Sequence, residues 1–168
     1  MAGDPADHAT GMMIALPEKL EEINYEVFMS GGFRELENIT ADLGIEAWGL
    51  DLEDAFTSAV HGLALLISDS PGGDQPLTRK IRIEAGSLSS LLVKLLNEII
   101  YLEDTENFLP GKITHLKIRN KHVDATLTGA IFNPEIHTLN AHIKAATYHG
   151  LEIDQSGKKV NIKVIFDV

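Results

Sequence analysis

The sequence predicts an α+β domain: a mostly antiparallel sheet with two main helices packed on it. Three observations lead there. Two stretches, opening near Asp51 and Ser87, repeat apolar residues three and four apart, as amphipathic helices do. After Pro110 the chain becomes strand-rich, and most of its segments are joined by turns too short for the crossover that parallel pairing requires. A length of 168 residues, 18.4 kDa, suits a single domain.

Taken in order, residues 1–32 stand apart as an N-terminal extension, and residues 33–168 form the domain. The extension starts polar, and its early part reads as disordered. Its later part reads as a short helix, with Pro17 in the first turn, Glu18, Glu21 and Glu22 near its N-terminal end, and Gly31-Gly32 after its stop. Residues 33–40 and 44–50 read as extended segments around an exposed acidic turn. Asp51 is a good N-cap for a helix whose Leu52, Ala55, Phe56, Ala59, Val60 and Leu63 share one face and which ends near Ser68. Residues 69–76, rich in Pro and Gly, form a loop, and residues 77–85 alternate as a strand with Ile81 and Ile83 on one face. Ser87 caps the second helix, in which Leu88, Leu91, Leu92, Leu95, Leu96, Ile99 and Leu102 form an apolar stripe. Strands are then expected over residues 112–118, 122–129, 138–147, 151–154 and 160–168.

Composition narrows the function classes. A hydrophobic fraction of 44% and a charged fraction of 23% describe an ordinary water-soluble globule. No apolar run approaches the roughly 20 residues of a spanning helix, so a cytoplasmic protein without membrane contact is expected. The absence of cysteine excludes disulfides, thiolate chemistry and cysteine-ligated zinc, leaving oxygen and imidazole donors. The net charge of −11 argues against strong direct binding to nucleic acid and favours a cation or a basic protein partner. There is no Gly-rich GxxxxGK[ST] loop, no GxSxG elbow and no HExxH helix, which speaks against independent nucleotide hydrolysis and the commonest hydrolase mechanisms. The seven histidines show no zinc spacing, and most read as surface or interface residues.

Three segments together resemble the archease family: Thr40-Ala41-Asp42-Leu43-Gly44-Ile45-Glu46-Ala47-Trp48-Gly49, Lys144-Ala145-Ala146-Thr147-Tyr148-His149-Gly150-Leu151-Glu152-Ile153, and Val164-Ile165-Phe166-Asp167-Val168. Between them, Leu95-Leu96-Asn97-Glu98-Ile99-Ile100-Tyr101-Leu102 and Phe132-Asn133-Pro134-Glu135-Ile136-His137 are similar to the family's second helix and late hairpin. The resemblance spans about residues 35–168. It implies an accessory protein, not itself an enzyme, that helps an RtcB-type RNA ligase become guanylylated and turn over in transfer-RNA splicing or RNA repair. It also implies a divalent cation, calcium first with magnesium or manganese as alternatives, bound by Asp42, Asp167 and Val168. One departure is Ile39, where family members often carry histidine immediately ahead of the threonine.

The implied ligands suit the chemistry, because calcium takes six to eight oxygen ligands and tolerates an open site completed by water. Apart from the resemblance, an Asp in a turn is ordinarily structural, bonding to nearby backbone. His149 reads either as orienting a ligand or a nucleotide phosphate, or as a turn histidine satisfied by backbone. With Tyr148 and Lys144 it makes a candidate second shell or partner contact. Lys144 reads as lying on the polar face of its strand, and Trp48 as core or sheet packing. Two other functions stay open: a metal-dependent phosphoesterase using Asp42, Asp167 and His149, and a general chaperone or adaptor, which needs an exposed apolar patch.

Overall fold

The computed structural model describes residues 31–37, 39–69 and 76–168. The short helix expected in the extension and most of the loop at 69–76 lie outside them. Among the described residues the elements are β1 (Gly32–Glu35), β2 (Leu43–Gly49), α1 (Leu52–Ile67), β3 (Leu77–Glu84), α2 (Leu88–Glu106), β4 (Phe108–Arg119), β5 (His122–Ile131), β6 (Ala145–Ala146), β7 (Glu152–Asp154) and β8 (Val160–Asp167).

Both helices start where local chemistry sets them. The Asp51 carboxylate accepts from the Asp54 N–H at 2.8 Å, and Glu53 and Asp54 place negative charge at the positive end of the α1 dipole. Ser87 and Ser90 form a reciprocal capping box that opens α2. At the other end Asn107, in the left-handed region at φ 53°, returns its N–H to the Leu102 carbonyl.

The antiparallel strands divide into two sheets. A five-stranded sheet has the order β1-β2-β8-β6, with β7 also on β8, and a three-stranded sheet has the order β3-β5-β4. Both helices touch both sheets: α1 packs on β1, β2 and β8 and also on β4, while α2 packs on β3, β4 and β5 and reaches β6 and β7. Phe56, Phe108, Phe166, Ile45, Leu92 and Leu95 are fully buried in the resulting core. At about 25 cal/mol per Å² of apolar area, such burial is the main favourable contribution to this fold.

Several sequence-based expectations change. The segment at 33–40 is a strand only to Glu35, and Gly32, placed in the extension, opens β1. β4 begins at Phe108, before Pro110, because an edge strand tolerates a residue that cannot donate to the ladder; its register shifts between Pro110, Ile113 and His115. The strand expected at 138–147 shrinks to Ala145–Ala146. Residues 138–140 instead serve the C-terminal end of α1, whose last carbonyls have no intrahelical partner. Asn140 donates its backbone N–H to the Ile67 carbonyl at 2.8 Å and its amide to the Leu65 carbonyl at 3.0 Å, and the Ser68 hydroxyl donates to the Thr138 carbonyl at 2.8 Å. Lys144 therefore precedes a strand and does not lie within one.

Two histidines hold backbone in place, His61 half-buried and His137 buried. His61 accepts from the Ile113 N–H at 3.2 Å beside the β4 irregularity, and His137 accepts from the Asn133 N–H at 2.9 Å inside the turn that follows β5. Trp48 is half-buried on the outer face of its sheet, packed over Gly32, and so takes part in sheet packing and not in the core.

Candidate functional site

The middle strand of the larger sheet, β8, carries the site. In β2 the residues Ile45 and Ala47 are buried toward the helices, as are Ile162, Val164 and Phe166 in β8. The intervening residues, Gly44, Glu46 and Trp48 on β2 and Lys163, Ile165 and Asp167 on β8, therefore belong to the outer face. The β2–β8 register ends at Leu43 opposite Phe166. Asp42 stands just ahead of Leu43, in the bend before β2, and Asp167 just after Phe166, at the end of β8. On the other side of β8, Ala145 pairs with Asp167, and the Lys144 N–H donates to the Asp167 carbonyl at 2.8 Å. Lys144, just ahead of β6, is tied to Asp167 by that bond, and Val168 follows Asp167. Asp42, Asp167, Val168 and Lys144 thus all lie toward one end of the sheet.

Each position has a local cause. Ala41 holds φ at 66°, a left-handed conformation that costs an alanine about 1 kcal/mol, and this bends the chain into β2 immediately before Asp42. The turn is held down by an apolar pad. A Cβ on Gly44 would lie 2.6 Å from Ile39 Cδ1 and 3.0 Å from both Ile165 Cδ1 and Leu36 Cδ1, so the missing side chain is what admits Ile39. On the far edge, Asn97 of α2 brackets β6: its carbonyl oxygen accepts from the Ala146 N–H at 2.8 Å, and its amide donates to the Ala146 carbonyl at 3.2 Å. Thr147 then donates both its N–H and its hydroxyl to the Ile165 carbonyl, at 3.0 and 2.9 Å. A turn follows, closed by Leu151 N–H to the Tyr148 carbonyl at 3.2 Å and by Gly150 at φ 65°, a conformation that suits glycine. Tyr148, 58% exposed, and exposed His149 stand on this turn.

The donor set is all oxygen. Asp42 is half-buried and Asp167 exposed, and among the described residues no side-chain cation pairs with either. No cluster of three or more His, Cys, Asp or Glu side chains able to hold a metal occurs among the described residues. Any cation here would thus take two carboxylates, an oxygen of Val168 and water, a set that fits calcium or magnesium and does not fit zinc. Asn97 and the Leu36–Ile39–Ile165 pad were not singled out in the sequence. A polar amide between buried Leu96 and Ile99 of α2 is the one signal that points to Asn97. The pad has no sequence signal.

The model of the archease protein family (MTH1598/TM1083) matches residues 33–168. The protein archease of Pyrobaculum neutrophilum is 32% identical over 133 residues, covering 77% of this chain and 90% of that protein. That of Methanothermobacter thermautotrophicus is 31% identical over 137 residues, covering 80% and 97%. The solution structure of Methanobacterium thermoautotrophicum protein 1598 superposes with a TM-score of 0.65 at 27% identity, covering 83% of this chain and 99% of that one. The crystal structure of an archease from Thermotoga maritima shares the fold, with a TM-score of 0.55 at 22% identity over 80% of this chain and 97% of that one. With two helices and antiparallel sheets among the described residues and a family match over residues 33–168, this chain belongs to the archease family.

Proposed function

We propose that this protein is a metal-binding accessory protein that activates an RtcB-type RNA ligase, promoting its guanylylation and multiple turnover in transfer-RNA splicing or RNA repair. The observation that supports the reading is the β2–β8 register, whose last pair, Leu43 and Phe166, is flanked in sequence by Asp42 and Asp167. A bound divalent cation would supply Lewis-acid stabilisation of charge on a phosphoryl group. Asp42 and Asp167 contribute one carboxylate each, and Val168 contributes a carbonyl or terminal oxygen. Lys144, just ahead of β6, offsets part of this negative charge, and exposed Tyr148 and His149 offer polar contacts to the ligase.

The test is multiple-turnover RNA ligation by the cognate ligase with GTP, with and without this protein. Stimulation should be strong with wild type and lost with Asp42→Ala and with Asp167→Ala. Calcium affinity measured by calorimetry should fall on the order of tenfold or more in each variant, about 1.4 kcal/mol per decade. A folded wild-type protein that leaves ligation unchanged refutes the reading. The accessory role also means no phosphoester hydrolysis by the protein alone.

One observation favours an adaptor role as a second reading. Ile131, Ile136 and Leu139, in and after the end of β5, are 45%, 59% and 46% exposed. The Thermotoga protein is described as a possible chaperone. Suppression of aggregation of unrelated proteins that survives Asp42→Ala would select this reading.

A further inference from the structure

The net charge of −11 is unevenly divided. Residues 77–84 and 108–131, which form the three-stranded sheet, hold seven of the 14 Lys and Arg residues but only Glu84 and Asp124 of the 25 acids. The rest of the chain carries 23 acids against seven bases. Alternation decides where these charges point. Ile81, Val123, Ala125, Leu127 and Leu116 are buried toward the helices, so their neighbours in sequence form the outer face. The register aligns them in rungs: Lys80, Thr126 and His115; Arg82, Asp124 and Lys117; Glu84, His122 and Arg119.

The two acids on this face are already engaged, Asp124 with Arg82 at 3.7 Å and Glu84 with His122. Lys80, Lys117 and Arg119 form no ion pair among the described residues. With same-face residues about 6.8 Å apart along a strand and strands about 4.8 Å apart, the cations cover a patch roughly 14 by 10 Å. A cleft of about 210 Å³ opens on it, lined by Lys80, Arg82, His115, Asp124 and Thr126 over the backbone of Ile81 and Ala125.

We propose that this face binds the sugar–phosphate backbone of RNA. Its composition selects that occupant. A protein partner is expected to bury an apolar centre, and the outward rungs hold only charged, hydroxyl and imidazole side chains. Interfaces with nucleic acid are instead polar and positively charged. The rungs hold no Phe, Tyr or Trp on which a base could stack, so contact is with phosphate and independent of sequence. The weak binding expected from net charge describes a uniformly charged surface; among the described residues this face holds only two acids, Glu84 and Asp124. The proposal does not rest on the metal-site reading.

The test is fluorescence anisotropy of a labelled single-stranded RNA titrated with the full chain at low and rising salt, with polyglutamate titrated in parallel. Binding should saturate, and its log affinity should fall with log salt by about 0.7 per phosphate contacted. A Lys80→Glu, Lys117→Glu, Arg119→Glu variant should bind on the order of tenfold more weakly or worse, while Lys158→Glu, Lys163→Glu, on and beside β8, should bind as wild type does. The milder Lys80→Gln, Lys117→Gln pair, checked for folding by circular dichroism, should weaken binding in the same direction. Absence of binding by wild type at low salt, undiminished binding by folded variants, or tighter binding of polyglutamate than of RNA overturns the proposal.

Discussion

His61 carries the clearest pH dependence in the molecule. Burial, with the Lys112 charge beside it, lowers its pKa from the ordinary imidazole value to about 4. In the unfolded chain it titrates near 6.5, so between these values the unfolded state binds the proton and the folded state does not. The stability this represents is present in full above about pH 6.5 and lost as pH falls toward 4, on the order of 3 kcal/mol at most. Urea midpoints measured across that window should fall with pH, and His61→Asn should flatten the slope. At Gly44 the issue is space. Gly44→Ala places a Cβ 2.6 Å from Ile39 Cδ1, so the pad over Ile165 must shift. A cost of about 1–3 kcal/mol is expected in thermal melts, as for other overpacking. If Asp42 supplies a ligand, calcium affinity should drop with it, because the pad lies beside the turn that carries Asp42. Ile39 was legible only as a departure from the family pattern; its packing against Gly44 depends on β2 and β8 lying side by side.

At the scale of elements, the helix starts were legible because they are local. Asp51 and Ser87 each bond to an N–H three residues ahead, and no distant partner is needed. Ser87→Ala should cost about 1 kcal/mol in a denaturant melt, the typical value of an N-cap. β6 is the opposite case. Two residues long, it persists between β8 and α2 because the Asn97 side chain meets both polar groups of Ala146. Asn97→Ala leaves a part-buried donor and acceptor without partners and should cost about 2–3 kcal/mol. Faster amide exchange at Ala146 and Thr147, measured by NMR, would place the damage at β6, whereas uniform exchange across the sheet would contradict it. The segment at 138–147 misled because its alternation suits a strand, and the uncapped carbonyls at the end of α1 claimed its polar groups first.

For the whole molecule, the C-terminal end and the charge distribution matter most. If Val168 supplies a ligand oxygen, a short tag fused after it should weaken calcium binding while leaving the melting temperature without calcium unchanged; equal affinity in tagged and untagged protein would exclude that ligand. The sequence by itself determined the α+β class, the two helices with their caps, the order of most strands and the family, because periodicity, capping and motifs act over a few neighbouring residues. Asp42 and Asp167 could be named from motifs, but 125 positions separate them in the sequence. Only the antiparallel register of β2 on β8, ending at Leu43 opposite Phe166, brings their two segments side by side. Tertiary structure likewise divided the strands between two sheets, set His61 against β4, buried His137, and gathered Lys80, Arg82, Lys117 and Arg119 onto one face. These outcomes depend on contacts between residues far apart in the chain, which follow from how sheets and helices pack around a common core and not from any local pattern.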